Sequence, residues 1–317
     1  MKVHIAKQEQ NLPLIDLLRN DNQIFQQEPP KISEFLSSEA QADCYVIPHD
    51  ASHWTSYYRS YVEGLSQHKP LLFFNRFDIP RQIEISNAIA IQTSSIRPLK
   101  MKTIIVPYNV KALSSRQYRT YTALPKISFI GFVPKIGARR LLRSLQRDPL
   151  HPLRNNSAFI RKCGIREITK AFPSASIIER SHYGGARSLI SQIDSFRREY
   201  EESIYSSDLI FTPRGDANAS QRYFETLSAG RVPIVPDTNI LFPRTLGRGN
   251  PIAISCSYNS TDVYEQVMKF WTQLTKSTYR EIQFFNREFF LNKLDYSTYI
   301  KQLLNHDFNF ILDHFSY

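Results

Sequence analysis

Cysteine is scarce: the chain of 317 residues has three, Cys44, Cys163 and Cys256. An odd number spread this widely excludes a disulfide scaffold, fits a reducing compartment and offers no metal-ligand spacing. Long apolar runs are also missing. No window approaches the roughly eighteen apolar residues that mark a membrane-spanning helix, so none is expected. The opening MKVHIAKQEQNLPLIDLL lacks the apolar core and small-residue cleavage site of a secretory signal. There is no internal repeat and no low-complexity tract. Neither a P-loop nor a GxGxxG fingerprint occurs, so a nucleotide site would have to be built from other parts.

What is present is a soluble globular composition, 42% hydrophobic and 22% charged. The length is comfortable for two domains of ordinary size. The formal net charge is +11. A basic surface attracts polyanions, anionic lipid headgroups or phosphorylated small substrates; the alternative is a solvated basic face without a dedicated partner.

Along the first third, short runs rich in β-branched and aromatic residues alternate with polar turns. DCYVIPHD (43–50), PLLFFNRFD (70–78), AIAIQTSS (88–95) and KTIIVPYNV (102–110) read as strands. WTSYYRSYVEGLSQH, between the first two, has helical spacing at Tyr57, Tyr61, Val62 and Leu65. The polar, basic segment 111–125 reads as a linker, after which the pattern restarts. KISFIGFV (126–133), ASIIER (175–180), DLIFTP (208–213) and RVPIVPD (231–237) read as strands; 137–148, 186–207 and 219–230 read as helices. The tail from 262 to 317 is helical and aromatic. The domains expected are 1–122, 123–261 and a helical brace, 262–317. Serial α/β units bind ligands in the crevice outside the carboxyl ends of their strands.

The stretch PRGDANASQRYFETLSAGRVPIVPD (213–237) carries the densest polar chemistry. Its loop lies at a strand's carboxyl end and leads into a helix. Ser220 or Asn218 can cap that helix, whose free N–H groups form an anion site. Arg214 and Arg222 add donors suited to a diphosphate. Glu225, three residues after Arg222, lies on the same helix face and can accept both hydroxyls of a ribose. The plainer reading makes Arg222 and Glu225 a surface ion pair and residues 213–216 an ordinary turn.

The order and spacing of Tyr205, Ser207, Pro213, Arg214, Gly215, Ser220, Arg222, Glu225, Gly230, Pro233 and Val235 resemble the exostosin family of glycosyltransferases. The resemblance extends over about residues 42–242. It implies a GT-B fold: two Rossmann-like domains facing across a cleft, acceptor on the N-terminal one and nucleotide-sugar donor on the C-terminal one. It also implies inversion at the anomeric carbon. The Asp-x-Asp metal motif is absent here, so neither metal nor cofactor is expected and the nucleotide sugar is a substrate. Carried over, Glu225 becomes the ribose ligand, and Arg222 and Arg214 the diphosphate ligands. Ser220 lies at the helix start, Gly215, in the loop before it, joins the donor-binding set, and Lys135, Arg139 and Arg140 close the other side. Arg231 departs from the small residue usual after Gly230.

Such a transfer needs a general base on the acceptor side. The loop PHDASHW supplies Asp50 first, then His49 and His53; Asp78 is another candidate. Equally, His49 closes a turn and Asp50 caps the helix near Trp54. Trp54, Tyr57 and Tyr58 either stack on a sugar or belong to the core. HYGGAR (182–187) is a cleft loop or an ordinary connection. The partners expected are a nucleotide-sugar donor and a saccharide or lipid-linked glycan acceptor. Peripheral membrane contact through the basic helix KIGARRLLRSLQR is weighed against a solvated face, and no specific nucleic acid is expected. The expected location is cytoplasmic or membrane-peripheral. The competing readings are a retaining transferase and an inactive polyanion-binding protein on the same fold.

Overall fold

The computed structural model describes residues 1–9, 12, 35–75, 83–95, 99, 101–114, 118–147, 149–181, 193–247 and 249–317. Their strands form two five-stranded sheets, parallel throughout. The first contains β1 (Val3–Ile5), β2 (Cys44–Val46), β3 (Leu71–Phe74), β4 (Ala88–Gln92) and β5 (Thr103–Ile105), in sequence order. Helix α1 (Ser56–Ser66) joins β2 to β3, and the Thr55 hydroxyl caps it by accepting from the Tyr58 N–H.

The second sheet begins with β6 (Ile127–Phe132), followed by α2 (Ala138–Arg147), α3 (Ser157–Ala171) and β7 (Ser176–Arg180). Then come α4 (Ile193–Tyr205), β8 (Leu209–Phe211), α5 (Gln221–Ser228), β9 (Val232–Pro236) and β10 (Ile254–Cys256). Its order is β10-β9-β8-β6-β7. Parallel sheets covered on both faces need near-continuous apolar strands. LLFF, TII, LIF and VPIVP meet that need, every residue being buried. The expected pair of Rossmann-like α/β units is therefore present.

The chain closes with α6 (Val263–Trp271), α7 (Lys276–Phe289), α8 (Tyr296–Leu304) and α9 (Phe308–His314). Val263, Val267, Trp271 and Tyr279 join the second core. Tyr299, Ile300, Leu303, Ile311 and Phe315 join the first. The last residue pairs with β5, the Tyr317 N–H donating to the Thr103 carbonyl at 2.8 Å. The helical segment thus packs on both sheets.

Segment 111–125, read as a linker, runs between β5 and β6, and its described residues are bonded to the second unit. The Leu113 N–H donates to Ser228 Oγ, the Arg119 guanidinium to Asp208, and Trp271 Nε1 to the Thr122 carbonyl. Buried Asp208 also accepts from Lys126 N and the Tyr279 hydroxyl. Arg231, the departure noted above, is likewise buried. It donates to Gln283 Oε1 on α7 and to the Tyr205 carbonyl at the end of α4. A small side chain could not make that tie.

Two glycines permit close approach. Gly230 follows α5 at φ +70°, and a Cβ there would meet the Gln283 carbonyl oxygen at 2.6 Å. Gly164 lets α3 lie on β8, where a Cβ would sit 2.0 Å from Phe211 Cζ.

Candidate functional site

In the second sheet the chain steps from β6 to β7 on one side, then crosses back to β8 on the other. The connections leaving β6 and β8 therefore depart in opposite directions, opening a crevice at their carboxyl ends. Residues 133–137 enter it from β6 and residues 212–220 from β8. The first sheet has no such reversal among its described strands.

The loop after β8 is shaped by arginine. Arg214 is buried; its Nη1 donates to Asn155 Oδ1 at 2.8 Å, and its other nitrogens reach the Gly215 and Asp216 carbonyls. The Gly215 N–H closes the loop on the Ala219 carbonyl. Arg161 of α3 donates to the Arg214 carbonyl at 3.2 Å and to the Phe132 carbonyl, tying this loop to the end of β6. Asp216 accepts from Arg140 of α2 at 2.9 Å and from the Ser157 hydroxyl at 3.0 Å. Burial works to raise its carboxyl, but Arg140, Ser157 and Arg161 outweigh burial and hold it below the usual carboxylate range.

Helix α5 starts at this loop. Ser220 occupies the N-cap position without making a capping bond, and Ser220, Gln221 and Arg222 are half-buried. The first N–H groups of a helix have no intrahelical acceptor, and those of α5 begin where the loop after β8 ends. Asn218, the other expected cap, is spent elsewhere. Its amide nitrogen donates to the Thr238 carbonyl at 3.1 Å and, from the second unit to the first, to the Ser95 carbonyl at 3.3 Å. The carboxyl edges of the two sheets thus meet at Asn218.

Arg222 and Glu225 do not pair with each other. Arg222 Nη2 donates to the Ile130 carbonyl at 2.5 Å, and its guanidinium lies 4.6 Å above the Phe129 ring. Its Nε is buried without an acceptor among the described residues. Glu225 receives Arg197 on Oε1 at 2.6 Å and the Tyr200 hydroxyl on Oε2 at 2.5 Å, both from α4. Burial, reinforced by Glu225, pushes the Tyr200 hydroxyl well above the usual phenol range, so it stays protonated and donates. Burial opposes the Arg197 charge, yet Glu225 outweighs it and holds the guanidinium above its usual range.

On the first sheet, His49 and Asp50 follow β2. The His49 ring is buried edge-on to Tyr58, and its Nε2 accepts the Glu9 backbone N–H at 2.8 Å. Asp50 Oδ1 accepts from Ser52 N at 2.9 Å, capping the 3-10 turn Ala51–His53. Further along the same edge, Gln92, Ser94 and Asn109 are buried; Gln92 Oε1, Ser94 Oγ and Asn109 Oδ1 find no partner among the described residues. Buried polar atoms are seldom left so.

The crevice brings together Arg140, Arg214, Gly215, Ser220 and Arg222. Lys135 and Arg139 are exposed at its β6 side. Tyr58 and Trp54 pack into the first core and Tyr57 is exposed. Asp78 and 182–187 lie outside the described residues. Sequence reasoning missed Arg161, Arg197, Tyr200 and Asp216. Arg197 and Tyr200 were detectable as an i, i+3 pair on one face of a long amphipathic helix.

No family model matches the chain, and no curated protein matches it either. Remote similarities exist among solved structures. One is S. aureus TarM in complex with fondaparinux, alpha-GlcNAc-glycerol and UDP, at 12% identity and TM-score 0.37. That match covers 83% of this chain and 50% of TarM, so the chain spans about half of TarM's length. Anabaena Alr3699/HepE, in complex with UDP and glucose, matches at 10% identity and TM-score 0.37, covering 83% of this chain and 77% of that one. The pneumococcal O-GlcNAc transferase GtfA, in complex with UDP and GlcNAc, matches at 13% identity and TM-score 0.31, covering 85% and 56%.

Proposed function

We propose that the chain is a glycosyltransferase moving a sugar from a nucleoside-diphosphate donor to a saccharide hydroxyl, with inversion. The observation that carries this reading is the arginine-lined switch point, where the half-open start of α5 meets the loop after β8. The α5 N–H groups, the unused Ser220 hydroxyl and Arg222 receive the diphosphate, with Arg140 closing from β6. Arg214 and Arg161 hold the loop's shape. A carboxylate has about four acceptor positions, and Glu225 uses two on Arg197 and Tyr200, leaving positions for ribose hydroxyls.

The reaction is one in-line displacement. The acceptor oxygen bonds to the anomeric carbon as the bond to the phosphate oxygen breaks. The leaving diphosphate keeps that electron pair, and the arginines and helix dipole stabilise its growing charge. Asp50 takes the acceptor proton.

A thermal-shift screen of nucleoside-diphosphate sugars tests the reading. A donor at a hundred times its Kd stabilises a protein by about 2.7 kcal/mol, and a melting point higher by several degrees is expected. Failure of every donor to move the melting point contradicts it. Asp50→Asn separates base from cap, since asparagine caps as well as aspartate. We expect kcat to fall by about 10²–10⁴ with donor affinity and stability unchanged. Unchanged kcat would leave Asp50 a cap alone. The anomer of the product distinguishes inversion from retention.

A further inference from the structure

No helix among the described residues is long and apolar enough to cross a membrane, yet one carries an uncovered apolar face. Helix α2 is held to the protein through buried Ser144 and through Arg140, which reaches Asp216. Leu141, Leu142 and Leu145 are 39%, 58% and 40% exposed. At this spacing the three share one stripe of the helix. Ile136 before the helix and Leu150 after it are also exposed. Lys135 before the helix and Arg139, about 60° around it from Leu142, are exposed beside them, and the run 133–147 contains no acidic residue. An apolar stripe rimmed by cations marks an interaction surface.

We propose that α2 and its flanks dock on an anionic lipid bilayer. The leucines enter the headgroup boundary while Lys135 and Arg139 meet the negative headgroups. Charge complementarity selects this occupant over a second copy of the chain. A two-fold interface sets a patch against itself, and here it would bring arginine against arginine. Because Arg140 on the same helix contacts the loop after β8, docking places the crevice beside the bilayer. The inference stands apart from the transferase reading, since lipid binding is measured without any sugar donor.

The test is sedimentation of the full chain with phosphatidylcholine vesicles and with vesicles about one-third phosphatidylglycerol. We expect at least ~tenfold stronger partition onto the anionic vesicles, weakening as salt screens the charges. The double substitution Leu142→Asp and Leu145→Asp should remove most of it, as should Arg139→Glu. These side chains are exposed, so circular dichroism and melting temperature should match the parent. Equal or absent binding to both vesicle types overturns the proposal, as does undiminished binding by the folded variants. A dimer dispersed by Leu142→Asp, without vesicle binding, overturns it in favour of self-association.

Discussion

Arg222→Ala is expected to weaken nucleoside-diphosphate binding by roughly tenfold to a hundredfold, because a hydrogen bond to a charged group contributes about 1.5–3 kcal/mol. Arg222 is the residue of choice for three reasons. It lies in the first turn of α5, where the dipole already favours an anion. It is braced by the Ile130 carbonyl and by the Phe129 ring, so little entropy is lost in holding it. Its Nε lacks an acceptor among the described residues, and a phosphate oxygen would supply one. The substitution also removes the contact with Phe129, about 0.5–2 kcal/mol, so affinity should be measured calorimetrically rather than inferred from melting. A folded variant binding the donor as tightly as the parent would remove Arg222 from the site.

Gly164→Ala is expected to destabilise the protein by about 3 kcal/mol, at the upper end of overpacking costs. The added Cβ would lie 2.0 Å from Phe211 Cζ and within 3 Å of two further ring atoms; Phe211 belongs to the apolar core and Gly164 is buried. The ring cannot retreat cheaply, because interiors are close-packed. Urea unfolding reads the effect as a lower midpoint at constant slope. The consequence for function is direct. α3 carries Arg161, which ties the loop after β8 to the end of β6, so displaced packing should also raise the donor Kd. An unchanged midpoint would mean that α3 does not rest on β8 at Gly164.

Much of the fold was legible because buried parallel strands are continuous apolar runs bounded by turn residues. LLFF, AIAIQ and VPIVP could be read directly, whereas β1 and β10 are only partly buried and mix polar residues into three-residue runs, VHI and ISC. Helix α3 was missed because its apolar pattern is interrupted by Gly164, whose value lies in tertiary packing. The segment 111–125 does join the two sheets, but its basic side chains read as solvated ones, whereas Arg119 serves Asp208, 89 residues away.

The position of the polar loop in the sheet was legible, and the partners of its side chains less so. The stretch 213–237 does lie at the switch point, since a polar loop between two apolar strands has few other positions in an α/β sheet. Arg214 shows the limit of local reading. Its side-chain partner Asn155 is 59 residues upstream, and no spacing rule reaches that far. Glu225 is similar. Helical spacing suggested Arg222 as its partner, but packing of α4 against α5 supplies Arg197 and Tyr200 instead.

The central claim is that a sugar nucleotide docks where α5 begins, between the loops after β6 and β8. Amide hydrogen exchange of the intact chain, with and without a saturating nucleoside-diphosphate sugar, tests it most directly. The account expects slowed exchange concentrated in residues 213–222 and in the segment after β6. Protection that appears only elsewhere, with those amides unchanged in the presence of bound donor, would contradict it.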